Sequence, residues 1–184
     1  IADIFPMALL HWEDFSKKTA HTHLENYKEK IACFNDDIQG TGVAALAAIF
    51  TALKYKGLSI IKQRIVVVGA GTAGLGIANL MHAAMVNAGL SEQEAFDLIW
   101  LVDKEGLVTK EDDLSYSNIN LFSRSISDYS LWPNRTLATV VSYVKPTILI
   151  GCSGVKNLFT KEMIVQLSKD VSYPIILPLS NPSS

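Results

Sequence analysis

"RIVVVGAGTAGLGIANL", Arg64 to Leu80, is the stretch that decides the fold. Ile65 to Val68 form an unbroken β-branched run, the pattern of a central parallel strand covered on both faces. The run stops at glycine, and the following residues read as a helix ending near Gly89. Gly69, Gly71 and Gly74 thus spell G-x-G-x-x-G between a strand and a helix. Gly69 permits the tight turn, Gly71 lets the backbone approach a pyrophosphate, and Gly74 lets helix pack on strand. Ala70, Thr72 and Ala73 belong to the same turn, where free N–H groups at the helix start favour phosphate charge.

Working outward, "SEQE" at 91–94 is a capping box that starts a further helix. "LIWLVD" (98–103), "TILIG" (147–151) and "YPIILPLSNP" supply three more buried strands, with Pro174 and Pro178 near the ends of the last. "RTLATVVSYVK" (135–145) and "TKEMIVQLSK" (160–169) read as crossover helices. Alternating strands and helices predict an α/β fold with a Rossmann-like, doubly wound parallel sheet and flanking helices. "DDLSYSNINLFSRSISDYSLWPN" is polar and turn-rich, and reads as a loop excursion. The expected division is a helical segment over 1–57 and a dinucleotide-binding domain over 58–184.

The second strand ends on Asp103, farther beyond Gly74 than the usual ~20 residues. The capped helix at 91–97 accounts for the excess. A carboxylate there accepts hydrogen bonds from ribose hydroxyls and repels a 2′-phosphate, so NAD is favoured over NADP. Glu105 adds to that charge and Lys104 opposes it.

Upstream, residues 1–31 are expected to be helical, with Ala20, Leu24, Tyr27 and Ile31 on one stripe. "GVAALAAIFTALKYKG" reads as a second helix, apolar nearly all round and so buried, with Gly57 as its stop. Two acidic pairs occur here, Glu13–Asp14 within the first of these stretches and Asp36–Asp37 just before the second. Converging across two helices, they could give one cation three carboxylate ligands, a donor set suited to Mg²⁺ or Mn²⁺. Acidic pairs near helix starts also serve as solvated dipole partners, so spacing leaves both readings open.

The chain has 184 residues, 49% hydrophobic and 18% charged, with a net charge of −2: a globular composition lacking a nucleic-acid binder's basic surplus. No apolar run approaches the ~20 residues of a membrane helix, so no membrane partner is expected. Cys33 and Cys152 lack C-x-x-C spacing and read as free buried thiols. His21 and His23 read as solvated helix residues. Beginning at Ile1 and ending on "LSNPSS", the chain reads as a piece of a longer protein.

"FPMALLHWEDF", "FNDDIQGTG", "GAGTAGLGIA", "IWLVDKEGL" and "PLSNPSS" occur in that order, and together they closely resemble the malic enzymes, including the malolactic branch. The match covers nearly the whole chain and is weakest over roughly 111–140. The resemblance implies that Glu13, Asp14 and Asp37 are ligands of Mn²⁺ or Mg²⁺ and that Asp36 orients a catalytic lysine. It implies that Thr41 touches NAD near its reactive end and that Ser153 approaches the cofactor through its backbone. Asn181 would meet L-malate and the nicotinamide. The family's lysine, tyrosine and malate-gripping arginine have no counterpart here, which implies a half-site inert as an isolated piece. Two outcomes stay open: L-malate to pyruvate and CO2 with hydride transfer to NAD, or malolactic conversion to L-lactate. A non-catalytic NAD-binding module is a further alternative. A cytoplasmic homodimer or homotetramer is expected for the intact enzyme, or a mitochondrial-matrix one in a eukaryote.

Overall fold

The computed structural model describes residues 3–15, 17–112 and 119–179, with Lys17 and Lys18 described in backbone alone. Leu10–Trp12 (β1) and Cys33–Asn35 (β2) pair in parallel as a two-stranded ribbon, joined through helix α1, Lys17–Tyr27. The helix expected from residue 1 therefore begins only at Lys17. Pairing with β2 holds residues 10–12 extended, and Asp14 takes a left-handed conformation (φ 61°) that breaks any helix passing through it. Ala20 and Leu24 of the expected stripe are buried, whereas Tyr27 is largely exposed.

A single π-helical turn, Asp36–Gly40, leads directly into α2, Thr41–Lys56. Gly57 stops α2 in the left-handed conformation expected of it (φ 65°). The main sheet contains β3 Ile65–Val68, β4 Ile99–Asp103, β5 Gly106–Leu107, β6 Ile148–Gly151 and β7 Ile175–Pro178, in spatial order β5-β4-β3-β6-β7. Strands β4, β3, β6 and β7 are parallel, and the short β5 runs antiparallel on the edge. The helices are α3 Thr72–Asn87, α4 Glu92–Asp97, α5 Ile126–Tyr129, α6 Leu137–Val144 and α7 Lys161–Asp170.

Alternation along the strands explains the layers. Ile65 and Val67 of β3 join Ile99, Leu101, Ile148 and Ile150 in one core, against α2 and α3. Val66 and Val68 point the other way, into a core completed by Val140 and Val144 of α6 and Leu167 of α7. Both faces are covered, as the β-branched runs predicted. The chain leaves β3 towards β4 on one side and later returns to β6 on the other, so the order reverses at the carboxyl end of β3. That is the position where open α/β sheets bind ligands.

Two expectations change in α2. Ala45, Ile49 and Leu53 are buried, but Val43, Phe50 and Tyr55 are exposed. Helix α2 lies in an outer layer, so only the side turned to α3 is covered among the described residues. Together with the π turn it forms a 21-residue helix, Asp36–Lys56, long and apolar enough by length and composition to cross a membrane. Its packing along α3 is that of a sheet-flanking helix.

The excursion expected as loop is more structured than its composition suggests. Residues 119–122 form a 3-10 turn with Ile119 and Phe122 in the core, and α5 follows; residues 113–118 lie outside the described part. Arg124 anchors this segment from a nearly buried position. Its Nη2 donates within reach of the carbonyls of Phe96 (3.0 Å), Asp97 (3.1 Å) and Ile99 (2.5 Å). The guanidinium also lies over the Trp100 ring at 3.8 Å.

Candidate cofactor and catalytic site

The turn after β3 is built backbone against backbone. Gly69 has φ 104°, open to glycine at little cost, and an added Cβ would stand 2.8 Å from the Ser153 amide nitrogen. An added Cβ on Gly74 would meet the Gly69 carbonyl oxygen at 1.8 Å. The first turn of α3 is thereby pressed onto the end of β3, with Gly71 as the cap residue of the helix. Ala70 is buried behind the turn, and Thr72 Oγ1 is buried with no hydrogen-bond partner among the described residues.

In front of this turn opens a cleft of about 350 Å³ along the carboxyl edge of the sheet. Gly69, Asp103, Lys104, Glu105, Thr136 and Ser153 are among its lining residues, with Val155 and Leu158 supplying apolar surface. Asp103 is exposed to the cleft at the end of β4. Thr136 donates from its N–H (3.1 Å) and hydroxyl (2.7 Å) to Asn134 Oδ1, and its neighbour Arg135 pairs through Nη1 with Asp112 at 2.9 Å and reaches Thr109 Oγ1 at 2.8 Å. Burial alone would raise the Asp112 carboxyl, but bonds from Arg135 and Thr109 outweigh it and hold the group below the usual range. Glycine cradle, cleft and ribose-facing acid together fit a dinucleotide.

The acidic pairs converge by a route the sequence reading missed. Trp12 lies opposite Asn35 in the parallel ribbon, so Glu13–Asp14 and Asp36–Asp37 leave the paired strands side by side. The Asp14 N–H donates to Asp37 Oδ2 at 3.0 Å. Three-residue strands, rather than two helices, gather them. Among the described residues, however, no three His, Cys, Asp or Glu side chains are close enough to share an ion. As placed, Glu13, Asp14 and Asp37 do not close on a common point.

Asn35, which composition gave no reason to single out, fixes this turn. It is fully buried, its side chain accepts from the Ile38 N–H at 3.0 Å, and its own N–H donates to Gln39 Oε1 at 3.0 Å. An asparagine directly before an acidic helix start is the signal that could have found it. The turn is pressed onto α3, since a Cβ on Gly76 would stand 2.1 Å from the Ile38 carbonyl oxygen. Asp36, Asp37 and Thr41 are therefore carried on the same helix layer as the glycine turn. His11 Nε2 lies 3.9 Å from Asp36 Oδ1 and its ring stacks on Phe34. His23, expected to be solvated, stacks on Trp12 at 5.3 Å, and burial lowers the basicity of His21. Asn181 lies outside the described residues.

A doubly wound sheet, a glycine cradle at its switch point and an acid at the next strand end define a dinucleotide-binding domain. A family profile described as "Malic enzyme, NAD binding domain" matches residues 38–184, and the chain belongs to that family. It is 42% identical over 188 residues to the NAD-dependent malic enzyme 3 of Bacillus subtilis (strain 168), covering 99% of the chain and 33% of that protein. It is also 42% identical over 183 residues to the malolactic enzyme of Leuconostoc mesenteroides, covering 98% and 34%. Among solved structures, the NAD-dependent malic enzyme from Thermotoga maritima superposes with a TM-score of 0.69 at 26% identity, covering 95% of this chain and 42% of that one. The chain spans about a third of the length of these curated relatives.

Proposed function

We propose that this chain is the cofactor-binding part of an enzyme that oxidises and decarboxylates L-malate to pyruvate and CO2, with hydride transfer to NAD. The observation carrying the reading is the glycine cradle facing a cleft that ends on Asp103. NAD, when bound, supplies the hydride acceptor. The first turn of α3 offers its unpaired N–H groups to the pyrophosphate, and Asp103 accepts from the adenosine ribose hydroxyls. The Ser153 amide, beside Gly69, completes the phosphate wall. Thr41, at the start of α2, contacts the reactive end of the dinucleotide, and Asp36 orients the proton-accepting lysine of the intact enzyme. Asn181 is the proposed contact to malate and nicotinamide.

Mn²⁺ or Mg²⁺ on Glu13, Asp14 and Asp37 is part of the proposal and is supported by the family likeness; the ribbon sets the Asp14 backbone beside Asp37, and the carboxyl groups would have to turn to share an ion. In the intact polypeptide, Asp37→Ala is expected to weaken Mn²⁺ binding by about 100-fold, read by calorimetry. Affinity equal to the parent would take Asp37 out of the ligand set.

The cofactor assignment has its own test. An exposed carboxylate beside a 2′-phosphate repels it by a little over 1 kcal/mol in a watery dielectric. Asp103→Asn should therefore narrow the preference for NAD over NADP by about tenfold in binding titrations. A parent that prefers NADP would overturn the role given to Asp103.

Malolactic enzymes match this chain as closely as the malic enzymes do, which supports a second reading in which cofactor stays bound and L-lactate leaves. Feeding L-malate and NAD to the intact enzyme separates the two. Free NADH with pyruvate supports the first, and lactate without net NADH the second.

A further inference from the structure

The turn that carries Asp36 contains a glycine for which the backbone gives no reason. Gly40 has φ −64° and ψ −51°, ordinary right-handed helix, inside the continuous helical run from Asp36 to Lys56. Any L-residue adopts those angles, and glycine is among the poorest choices because it loses the most backbone freedom. Space supplies the reason instead. A Cβ on Gly40 would stand 1.9 Å from Asp36 Oδ1, 2.8 Å from its Cγ and 3.6 Å from its Cβ.

The three nearest atoms all belong to one side chain. Gly42 and Gly76 differ: added carbons there would meet Leu80 of α3 and the Ile38 carbonyl, so those glycines serve the packing of the turn and α2 on α3. At Gly40 the nearest atoms that an added carbon would meet are those of the Asp36 side chain. The Asp36 carboxyl is folded back over the bare Cα of Gly40, and on its open side it meets His11 Nε2 at 3.9 Å. The His11 ring is itself steadied by Phe34, with centroids 4.5 Å apart. Asp37 is directed elsewhere, accepting the Asp14 N–H.

We infer that Gly40 is a positioning residue for Asp36: the missing side chain at position 40 is the seat that sets the direction of the carboxyl group. The inference rests on the reading above that Asp36 takes part in malate oxidation. It separates fold from activity, because Asp36 is the free end of a side chain and can swing away without moving backbone. A methyl group at position 40 would displace the carboxyl and leave the helix intact.

The test is Gly40→Ala in the intact polypeptide, with Asp36→Asn and the double variant beside it. Gly40→Ala should keep Tm at or above the parent, since alanine favours the helix, and keep the Kd for NAD within about twofold. Its kcat with L-malate should fall by about 100-fold, the usual result of misplacing a group by about 1 Å. The double variant should be no slower than Asp36→Asn alone, because both changes remove one function. If Asp36→Asn is slow and Gly40→Ala turns over at the parental rate, the seat is unnecessary and the inference fails. If Asp36→Asn itself keeps the parental rate, the role of Asp36 fails first and takes the inference with it. A lower Tm with weakened NAD binding in Gly40→Ala would show a structural glycine and also overturn it.

Discussion

Gly74→Ala is expected to abolish NAD binding and to destabilise the fold by about 3 kcal/mol or more, the upper range for overpacking against atoms that cannot yield. The added carbon would fall 1.8 Å from the Gly69 carbonyl oxygen and 3.1 Å from Cys152 Sγ. The sulfur can shift, but the carbonyl cannot turn aside. The Gly69 carbonyl belongs to the turn itself, and the Gly69 amide is tied to the Val102 carbonyl at 2.7 Å across the sheet. Helix α3 must then lift away from β3, taking with it the N–H groups that face the cofactor. Gly154→Ala is the matched control, since an added Cβ there meets nothing within 4 Å among the described residues. It should stay within about 0.5 kcal/mol of the parent. Thermal melting with NAD titration reads both effects, and an alanine at position 74 that binds NAD normally would refute the cradle.

The steric meaning of that turn explains why the centre of the fold was legible. Gly57, the Gly69–Gly74 turn and the Ser91–Glu94 capping box each set the backbone within a few residues of themselves and take the predicted form, although Gly69 also lies against Ser153 far along the chain. The strands at 65–68, 99–103 and 148–151 were equally plain, because burial on both faces leaves an unbroken apolar run, and the edge strand at 175–178 showed through its apolar run ending on proline. What escaped is held by partners far along the chain. "LHW" is extended only because "CFN" lies beside it, and a three-residue strand has no room for a period to show. The two-residue β5 is smaller still, and it depends on Gly106 (φ 105°), whose Cα approaches the Arg135 carbonyl.

The same division runs through the site. Asp103 and the glycines could be placed from local pattern, whereas the approach of Asp14 to Asp37 needed the register of Trp12 on Asn35. The outer side of α2 was misjudged because composition reports how apolar a helix is, and its burial is decided by which elements lie against it. Val43 and Phe50 remain uncovered among the described residues for that reason.

Arg124 is the clearest case of a determinant without a local signature, and its removal should be correspondingly costly. Burial lowers its pKa to about 10, which leaves it protonated through the neutral range and able to donate from every nitrogen. The carbonyls of Phe96, Asp97 and Ile99 sit where α4 ends and β4 begins, a junction with no further helix to supply N–H partners. The ion pair with Asp97 at 3.8 Å adds little, because that carboxylate is mostly in water. Arg124→Ala strips the partners from three carbonyls and uncovers the Trp100 face. The expected loss is about 3–5 kcal/mol, the range for breaking a buried charged contact, or a fall in Tm of about 10 °C. Arg124→Lys should recover less than half of it, since one ammonium cannot reproduce the flat guanidinium that both spans the carbonyls and stacks on the indole. Hydrogen exchange localises the effect: amides of β4 and α4 should lose protection before those of β6 and β7. A loss below about 1 kcal/mol would mean that water replaces the guanidinium at these carbonyls, and the segment from 119 to 129 would then be held by its buried Ile119 and Phe122 and by the backbone bonds of Arg124 to Val108 and Lys110.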